Sequence, residues 1–363
     1  MQRNPATEFL TLHEFVAAAR LRLDANGWDY IIGGAETETT VRRNRQALDA
    51  IALRPRVLRD VHDIDCTATL FGKPARLPVL LAPVGGLETC DARGAVAAAE
   101  GAGGFGVPVM VSSVSKRSKA EIRAATVSPV LYQLYVRGGG RFIEDHVEAA
   151  IAAGLEAFCL TVDTAHYSRR ERDIAKRFDK PWRTGVDSDA RQHQARLCWA
   201  DVARIRKAYD IPLILKGIAT PEDARIAVDH GVETIYVSNH GGRQLDHGLG
   251  TMDMLPEIVA AVAGRATIIV DGGVSRGTDI VKAIALGADA VGIARLYCYA
   301  LAAAGPAGIV RMLEILEDEV TATMGLLGVT RLTDLDPSYL HPGAPVVSTP
   351  STLSAFPLLD PAP

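Results

Sequence analysis

No run of apolar residues in this 363-residue chain approaches the roughly 20 that a helix needs to cross a bilayer. An excess of one charge is missing too. The 39 Lys and Arg stand against 43 Asp and Glu, a formal net charge of −4, which gives no general attraction to nucleic acid or an anionic membrane. Cysteine is scarce: its five copies, Cys66, Cys90, Cys159, Cys198 and Cys298, are odd in number and lack metal-type spacing. Cys159 lies inside an apolar run and reads as core, and no metal is expected. The first residues, with Arg3, Glu8, His13 and Glu14, lack the basic-then-apolar pattern of a secretion signal. These absences lead to the expectation of a cytoplasmic protein with no nucleic-acid partner and no membrane segment.

What the chain does have is an alternation of short apolar runs with longer amphipathic stretches, the pattern of a parallel sheet wrapped by helices. Eight runs read as strands: Val79–Pro83, Val107–Ser112, Val130–Tyr135, Ala157–Asp163, Pro212–Lys216, Thr234–Asn239, Thr267–Asp271 and Ala290–Ala294. Most are apolar almost throughout, as strands buried on both faces should be. Thr220-Pro221-Glu222-Asp223 carries a capping hydroxyl, proline at the first helical position and acids in the first turn, so Ala224–His230 reads as a short helix. Thr278–Leu286 reads as another. Eight strands favour an α/β fold closed as a (β/α)₈ TIM barrel over an open sheet. The expectation is one domain over 1–363, with a barrel core near 76–325.

Residues before about 75 form a helical N-terminal extension, in which Thr11-x-x-Glu14 is a capping-box pattern ahead of Phe15–Leu23. Trp28–Ala35 runs into the turn at Gly33-Gly34, and Ile309–Met324 reads as the closing helix. Pro342, Pro345, Pro350, Pro357, Pro361 and Pro363 then predict an extended C-terminal tail.

Polar residues gather where the strands end: Ser112, Tyr135, Asp163, Lys216 and the Asn239-His240 pair. In a barrel those ends carry the active site. Any one of them alone also reads as a strand ending in solvent; their spread over several strands favours a site. Ser238-Asn239-His240-Gly241-Gly242-Arg243-Gln244-Leu245-Asp246 places a titratable base beside a permanent cation, with glycines that let the backbone approach a ligand. Asp271-Gly272-Gly273-Val274-Ser275-Arg276-Gly277-Thr278-Asp279 follows strand seven and opens a helix, an arrangement of N–H groups suited to phosphate. Arg295, just after strand eight, adds a cation there.

At these residues the chain closely resembles the FMN-dependent α-hydroxy-acid oxidizing enzymes, the family of glycolate and lactate oxidases and mandelate dehydrogenase. The resemblance runs from Trp28-Asp29-Tyr30 to the helix around Met324, and Ser238–Asp246 is its most specific motif. It implies FMN as cofactor and oxidation of a small (S)-2-hydroxy acid to a 2-oxo acid. It assigns His240 as the active-site base, accepting the hydroxyl proton as hydride moves to flavin N5. A carbanion route, in which His240 takes the α-proton, stays open. Asp163 matches the carboxylate that orients and stabilises protonated His240. Arg170, Arg243 and Tyr30 match residues that bind the substrate carboxylate, and Tyr135 matches one close to the reacting hydroxyl. Lys216 matches a lysine near flavin N1 and O2, where a cation stabilises reduced flavin.

Ala82, Pro83, Val84, Gly85, Ser112, Gln133 and Thr161 match positions lining the flavin, with Ser238 beside them. Asp271, Gly273, Ser275, Ala294 and Arg295 match the ribityl-phosphate site. Ser275 stands where relatives usually have arginine, and Ala294-Arg295 replaces the usual Gly-Arg. Val114 takes the place of a bulky aromatic. Phe178–Cys198, with Arg183, Arg191 and Arg196, corresponds to a shortened lid-like loop. The resemblance also implies a homo-oligomer, with a tetramer expected, and an electron acceptor that is oxygen or another oxidant. Two other readings remain: an FMN-dependent isomerase, which returns the electrons to its product, and a catalytically inactive flavin-binding barrel.

Overall fold

A strand buried on both faces needs no polar alternation, and each of the eight apolar runs folds into one barrel strand. The computed structural model describes residues 8–178, 180, 188–344, 351–356 and 359, excepting the side chains of 188–191. The N-terminal extension contains helices α1 (Leu12–Arg22), α2 (Ala25–Ile32) and α3 (Thr39–Asp49), strand β1 (Ile51–Leu53) and a hairpin of β2 (Ala68–Leu70) and β3 (Lys73–Ala75). The Glu14 carboxylate accepts the Leu10 and Thr11 amides at 2.7 Å each, so the predicted cap starts α1.

The closed barrel contains β4 (Val79–Leu81), β5 (Val109–Ser112), β6 (Val130–Leu134), β7 (Ala157–Thr161), β8 (Leu213–Ile218), β9 (Thr234–Val237), β10 (Thr267–Val270) and β11 (Ala290–Ile293), with β11 pairing back to β4. All of its pairings are parallel. Its wrapping helices are α4 (Ala95–Phe105), α5 (Lys119–Ala124), α6 (Phe142–Ala152), α7 (Glu171–Ala175), α8 (Ser188–Arg196), α9 (Trp199–Ala208), α10 (Pro221–Asp229), α11 (Thr251–Val262), α12 (Gly277–Ala285) and α13 (Arg295–Leu327). Most strands stop one or two residues earlier than the apolar runs suggest, whereas Ser112 and Lys216 stay in the ladder and β8 continues to Ile218. Leu80, Met110, Leu131, Cys159, Ile214, Tyr236, Ile269 and Ala290 fill the barrel interior, and a larger cluster packs between strands and helices.

Three features depart from the sequence reading. The closing helix is far longer than Ile309–Met324: α13 spans 33 residues, broken where Ala304 and Gly305 leave helical geometry ahead of Pro306. By length and composition it is also apolar enough to cross a membrane, against expectation. Its alanine-rich run serves as core, since 67% of its most apolar window is buried inside the molecule. The tail is not simply extended. Leu332–Asp334 and Pro337–Tyr339 form single turns, β12 (Leu340–Pro342) pairs antiparallel with β1, and Phe356 is buried edge-on against His13. Pro345, Pro350, Pro357, Pro361 and Pro363 lie outside the described residues. Finally, a buried bidentate ion pair from Arg45 to Asp279, 2.8 Å at both nitrogens, ties α3 to α12.

Candidate active site

Side chains of a strand alternate between its two faces, so residues two apart share one. Counting outward from the interior residues gives Met110 then Ser112, Leu131 then Gln133 and Tyr135, and Cys159 then Thr161 and Asp163. The same step gives Ile214 then Lys216, Tyr236 then Ser238 and His240, Ile269 then Asp271, and Leu80 then Ala82. One periodicity thus carries an apolar plug at the barrel centre into a polar ring at the C-terminal ends of the strands.

Within that ring His240 Nδ1 lies 2.9 and 3.2 Å from the two Asp163 carboxylate oxygens. An ionised carboxylate only accepts, so Nδ1 carries the ring proton and Nε2 keeps its lone pair. The Tyr135 hydroxyl is 3.3 Å from Nε2. Burial pushes His240 below its ordinary value of 6.5, and nearby Lys216 and Arg170 add to this against the raising effect of Asp163. Burial alone would push the Asp163 carboxyl up, yet His240 and Lys216 hold it below the usual carboxylate range. A neutral base backed by an anion results. Burial and Asp163 push the Tyr135 phenol up to about 12, so it stays a proton donor.

The approach of Asp163 depends on Gly217. This residue has φ +113°, and a Cβ there would sit 2.6 Å from the Cβ of Asp163. His240, Gly241 and Gly242 all have positive φ, 58°, 62° and 75°, so the loop turns sharply and returns Arg243 to the same cavity. A non-glycine residue held there is strained, a feature concentrated at functional sites.

Below His240, Ser238 joins three groups. Its hydroxyl donates to Asp271 at 2.6 Å and accepts from Lys216 Nζ at 2.8 Å and the His240 amide at 3.0 Å. Lys216 pairs with Asp271 at 3.0 Å. Burial opposes its charge, but Asp271 and Asp163 outweigh burial and raise Lys216 above its ordinary value, so it remains cationic.

A solvent-open cavity enclosing about 1360 Å³ of free space sits over this network. Tyr30, Ala82, Pro83, Val84, Gly85, Tyr135, Arg170, Lys216, His240 and Arg243 line it, and so do Asp271, Gly273, Ser275, Ala294 and Arg295. Ser112, Gln133, Thr161, Asp163 and Ser238 are not in its lining. They stand immediately behind the lining residues, and Ser112, Gln133, Thr161 and Ser238 are at most 3% exposed. The Tyr30 hydroxyl donates to the Gly85 carbonyl at 2.9 Å. Arg243 donates to the carbonyls of Tyr30 and Gly33 at 2.7 Å each, and Arg295 to those of Ile31 and Gly33 at 3.0 Å each. Neither arginine forms an ion pair among the described residues. Burial and the neighbouring Arg243 lower Arg295 to about 10. Half-buried cations whose described hydrogen-bond partners are carbonyls suit anionic ligands.

Other unmet polar groups agree with FMN. Gln133 accepts from Ser112 at 2.8 Å, but its amide nitrogen is buried without a partner, and so is the Thr161 hydroxyl. The amides of Gly272, Gly273 and Val274 have no partner among the described residues, and these residues line the cavity together with Arg295. Here the sequence reading needs correction. The helix N-terminus itself is not free for phosphate, because Asp279 accepts the Ser275 and Arg276 amides at 2.9 and 3.0 Å and Glu319 accepts the Gly277 amide at 2.6 Å. The Ser275 hydroxyl is likewise turned to the Gly273 carbonyl at 3.1 Å. The donors left open beside the cavity are those of the glycine loop and Arg295 rather than the first amides of α12.

Sequence reasoning missed Asn44, Arg45, Arg137, Tyr167 and Thr352, all of which line the cavity. Asn44 and Arg45 come from α3, and Thr352 from the tail, so no local motif announces them. In the expected lid, Arg183 and the Arg191 side chain lie outside the described residues, and Arg196 is exposed. Gln194 of α8 accepts the Val136 amide at 2.6 Å and donates to the Thr161 carbonyl at 3.1 Å, which fastens this segment to the strand ends.

A parallel eight-stranded barrel with a His–Asp pair, a buried lysine and a phosphate-type glycine loop at one end defines a class of oxidoreductase barrels. The model of the FMN-dependent dehydrogenase family matches residues 19–342, and this chain belongs to that family, with FMN as its cofactor. It is 38% identical to an L-lactate oxidase from Nostoc sp. over 92% of this chain and 98% of that protein. It is 37% identical to the glycolate oxidase of Spinacia oleracea over 92% and 96%. Among solved structures, mandelate oxidase is 39% identical, with a TM-score of 0.86 over 93% of this chain and 100% of that one. A variant of that enzyme with an FMN adduct has a TM-score of 0.84 at 39% identity, over 92% of this chain and 100% of that one.

Proposed function

We propose that this chain oxidises an (S)-2-hydroxy acid to its 2-oxo acid with His240 as the base. The observation that carries this reading is His240, held by Asp163 at 2.9 Å, on a cavity it shares with Arg170 and Arg243. FMN, when bound, accepts the two electrons leaving the substrate and passes them to oxygen or another acceptor. His240 Nε2 takes the hydroxyl proton while the α-hydrogen leaves with its bonding pair. Asp163 keeps the other ring proton on Nδ1 and stabilises the imidazolium as it forms. Tyr135 orients the reacting oxygen by donating its hydroxyl hydrogen. Arg170 and Arg243, with Tyr30, hold the carboxylate and so fix the α-carbon. Lys216 would supply a positive charge to bound FMN, and Gly273 and Arg295 would hold its phosphate.

The names of the relatives, lactate, glycolate and mandelate oxidases, support a small 2-hydroxy acid. Both oxidases and an L-lactate dehydrogenase from Caulobacter vibrioides, 38% identical over 92% of this chain and 97% of that protein, stand among them. The five free cysteines suit a reducing cytoplasm, and the family resemblance suggests a tetramer, which light scattering tests. Substrate class is tested by replacing the carboxylate of a turned-over hydroxy acid with a neutral amide. Turnover should fall sharply; simple alcohols outperforming every hydroxy acid would end this reading.

A further inference from the structure

Arg137 has no part in the chemistry above, yet it lines the cavity three residues past the end of β6, in step with that strand's inward-facing series. Leu131 belongs to the barrel plug, Gln133 to the buried polar layer and Tyr135 to the reacting centre. Arg137 is the next residue in the same two-residue step. It lines the cavity with Tyr135, Tyr167, Val114 and Arg170. Its guanidinium carbon lies 5.9 Å from the Tyr135 ring centre, whose hydroxyl is 3.3 Å from His240 Nε2. Among the described residues no acid pairs with Arg137, and its Nε is buried without a hydrogen-bond partner.

The charges around the cavity leave this cation over. Lys216 is matched by Asp271 and Arg45 by Asp279. On the function proposed above, the substrate carboxylate answers Arg170 and Arg243, and the phosphate answers Arg295. Among the described residues Arg137 has no anion, and it stands on the side of Tyr135 farther along the chain from Gln133 and the barrel plug. Val114, small where a bulky group would close the space, lines the same cavity.

We propose that Arg137 is a specificity-determining residue that binds a second carboxylate on the substrate side chain, so that the preferred substrates are (S)-2-hydroxy dicarboxylic acids. This rests on the reading of the centre as one that oxidises 2-hydroxy acids. A planar guanidinium with an unsatisfied N–H suits a carboxylate better than an alkyl group, because leaving that donor dry and unpaired is costly.

The test compares chain-length-matched pairs: (S)-malate against (S)-2-hydroxybutyrate, and (S)-2-hydroxyglutarate against (S)-2-hydroxyvalerate. In the wild-type holoenzyme, kcat/KM for the dicarboxylate should exceed that of its partner by about 10–100-fold in at least one pair, the scale of one charge-assisted hydrogen bond. Arg137→Gln should bring that ratio towards one, chiefly through KM. Arg137→Lys should keep part of it, and added salt should reduce it. Titration of the flavin spectrum with the 2-oxo products should show the same preference in Kd, independently of turnover. Monocarboxylates oxidised as well as dicarboxylates in both pairs, or a ratio unmoved in Arg137→Gln, would overturn the role of Arg137 alone. If no acid in the panel bleaches the flavin, the hydroxy-acid reading falls and this inference falls with it.

Discussion

Replacing Asp163 by asparagine keeps the size of the side chain and one acceptor for His240 but removes the anion. The two oxygens of Asp163 lie 2.9 and 3.2 Å from Nδ1, and both side chains are mostly buried, at 15% and 13% exposure. Unit charges about 4 Å apart at an effective dielectric of about 20 attract by about 4 kcal/mol. That attraction exists only once His240 is protonated, so it acts on the transition state and not on the resting base. A loss of about 4 kcal/mol corresponds to about 10³ in rate. Because asparagine still accepts a hydrogen bond, flavin reduction should slow by about 10²–10³-fold. The pH profile supplies a second sign. His240 must be neutral to act, and burial already holds it below 6.5 while Asp163 opposes that shift. The acid limb of wild-type activity should therefore lie below 6.5, the ordinary imidazole value, and Asp163→Asn should move it lower still. Stopped-flow flavin reduction across a pH series, without oxygen, reads both effects. A rate within about threefold of wild type, or an acid limb displaced upward, would refute the reasoning.

Arg295→Ala should weaken FMN binding far more than riboflavin binding, measured by fluorescence titration, since Arg295 is assigned to the phosphate; equal losses would count against that assignment. Gly85→Ala would place a Cβ 2.5 Å from the Val114 side chain. It should lower kcat/KM, and a second change, Val114→Ala, should recover most of the loss in a double-mutant cycle. Asp279→Asn leaves Asp49, at 2.8 Å, as the remaining anionic partner of Arg45 and should cost about 1.5–3 kcal/mol in denaturant unfolding at neutral pH, the scale of hydrogen bonds to a charged group. Burial pushes Asp279 up, but Arg45 more than offsets this and holds it below 3.8. Its contribution is thus present above about pH 3.8 and is lost as pH falls through the lower folded value, so wild type and variant should converge in acid.

The barrel was legible because its strands are buried on both faces: Ala157–Thr161 and Leu213–Ile218 are almost wholly apolar and show as isolated runs. The central site residues were legible for a related reason, since a polar group ending such a run, like Asp163 or Lys216, has no packing role to explain it. What stayed hidden depends on distant contacts. Asn44 and Arg45 reach the cavity from a helix roughly 195 and 234 residues away in sequence from their partners Asn239 and Asp279. The docking of Phe356 on His13 and the pairing of β12 with β1 join the two ends of the chain, where composition suggested only an extended tail. At the phosphate end the motif Asp271–Asp279 did not reveal that Asp279 folds back onto the amides of Ser275 and Arg276.

The central claim, oxidation of a 2-hydroxy acid with His240 as base, is tested most directly by mixing FMN-loaded protein with (S)-2-hydroxy acids under anaerobic conditions. Flavin absorbance and the 2-oxo acid formed are followed together. The account predicts bleaching with one 2-oxo acid released per flavin in the wild type, and bleaching slowed by about 10²–10⁴-fold in folded, FMN-bound His240→Gln. A wild-type flavin that no 2-hydroxy acid bleaches, or a His240→Gln flavin that bleaches as fast as the wild type, would contradict it.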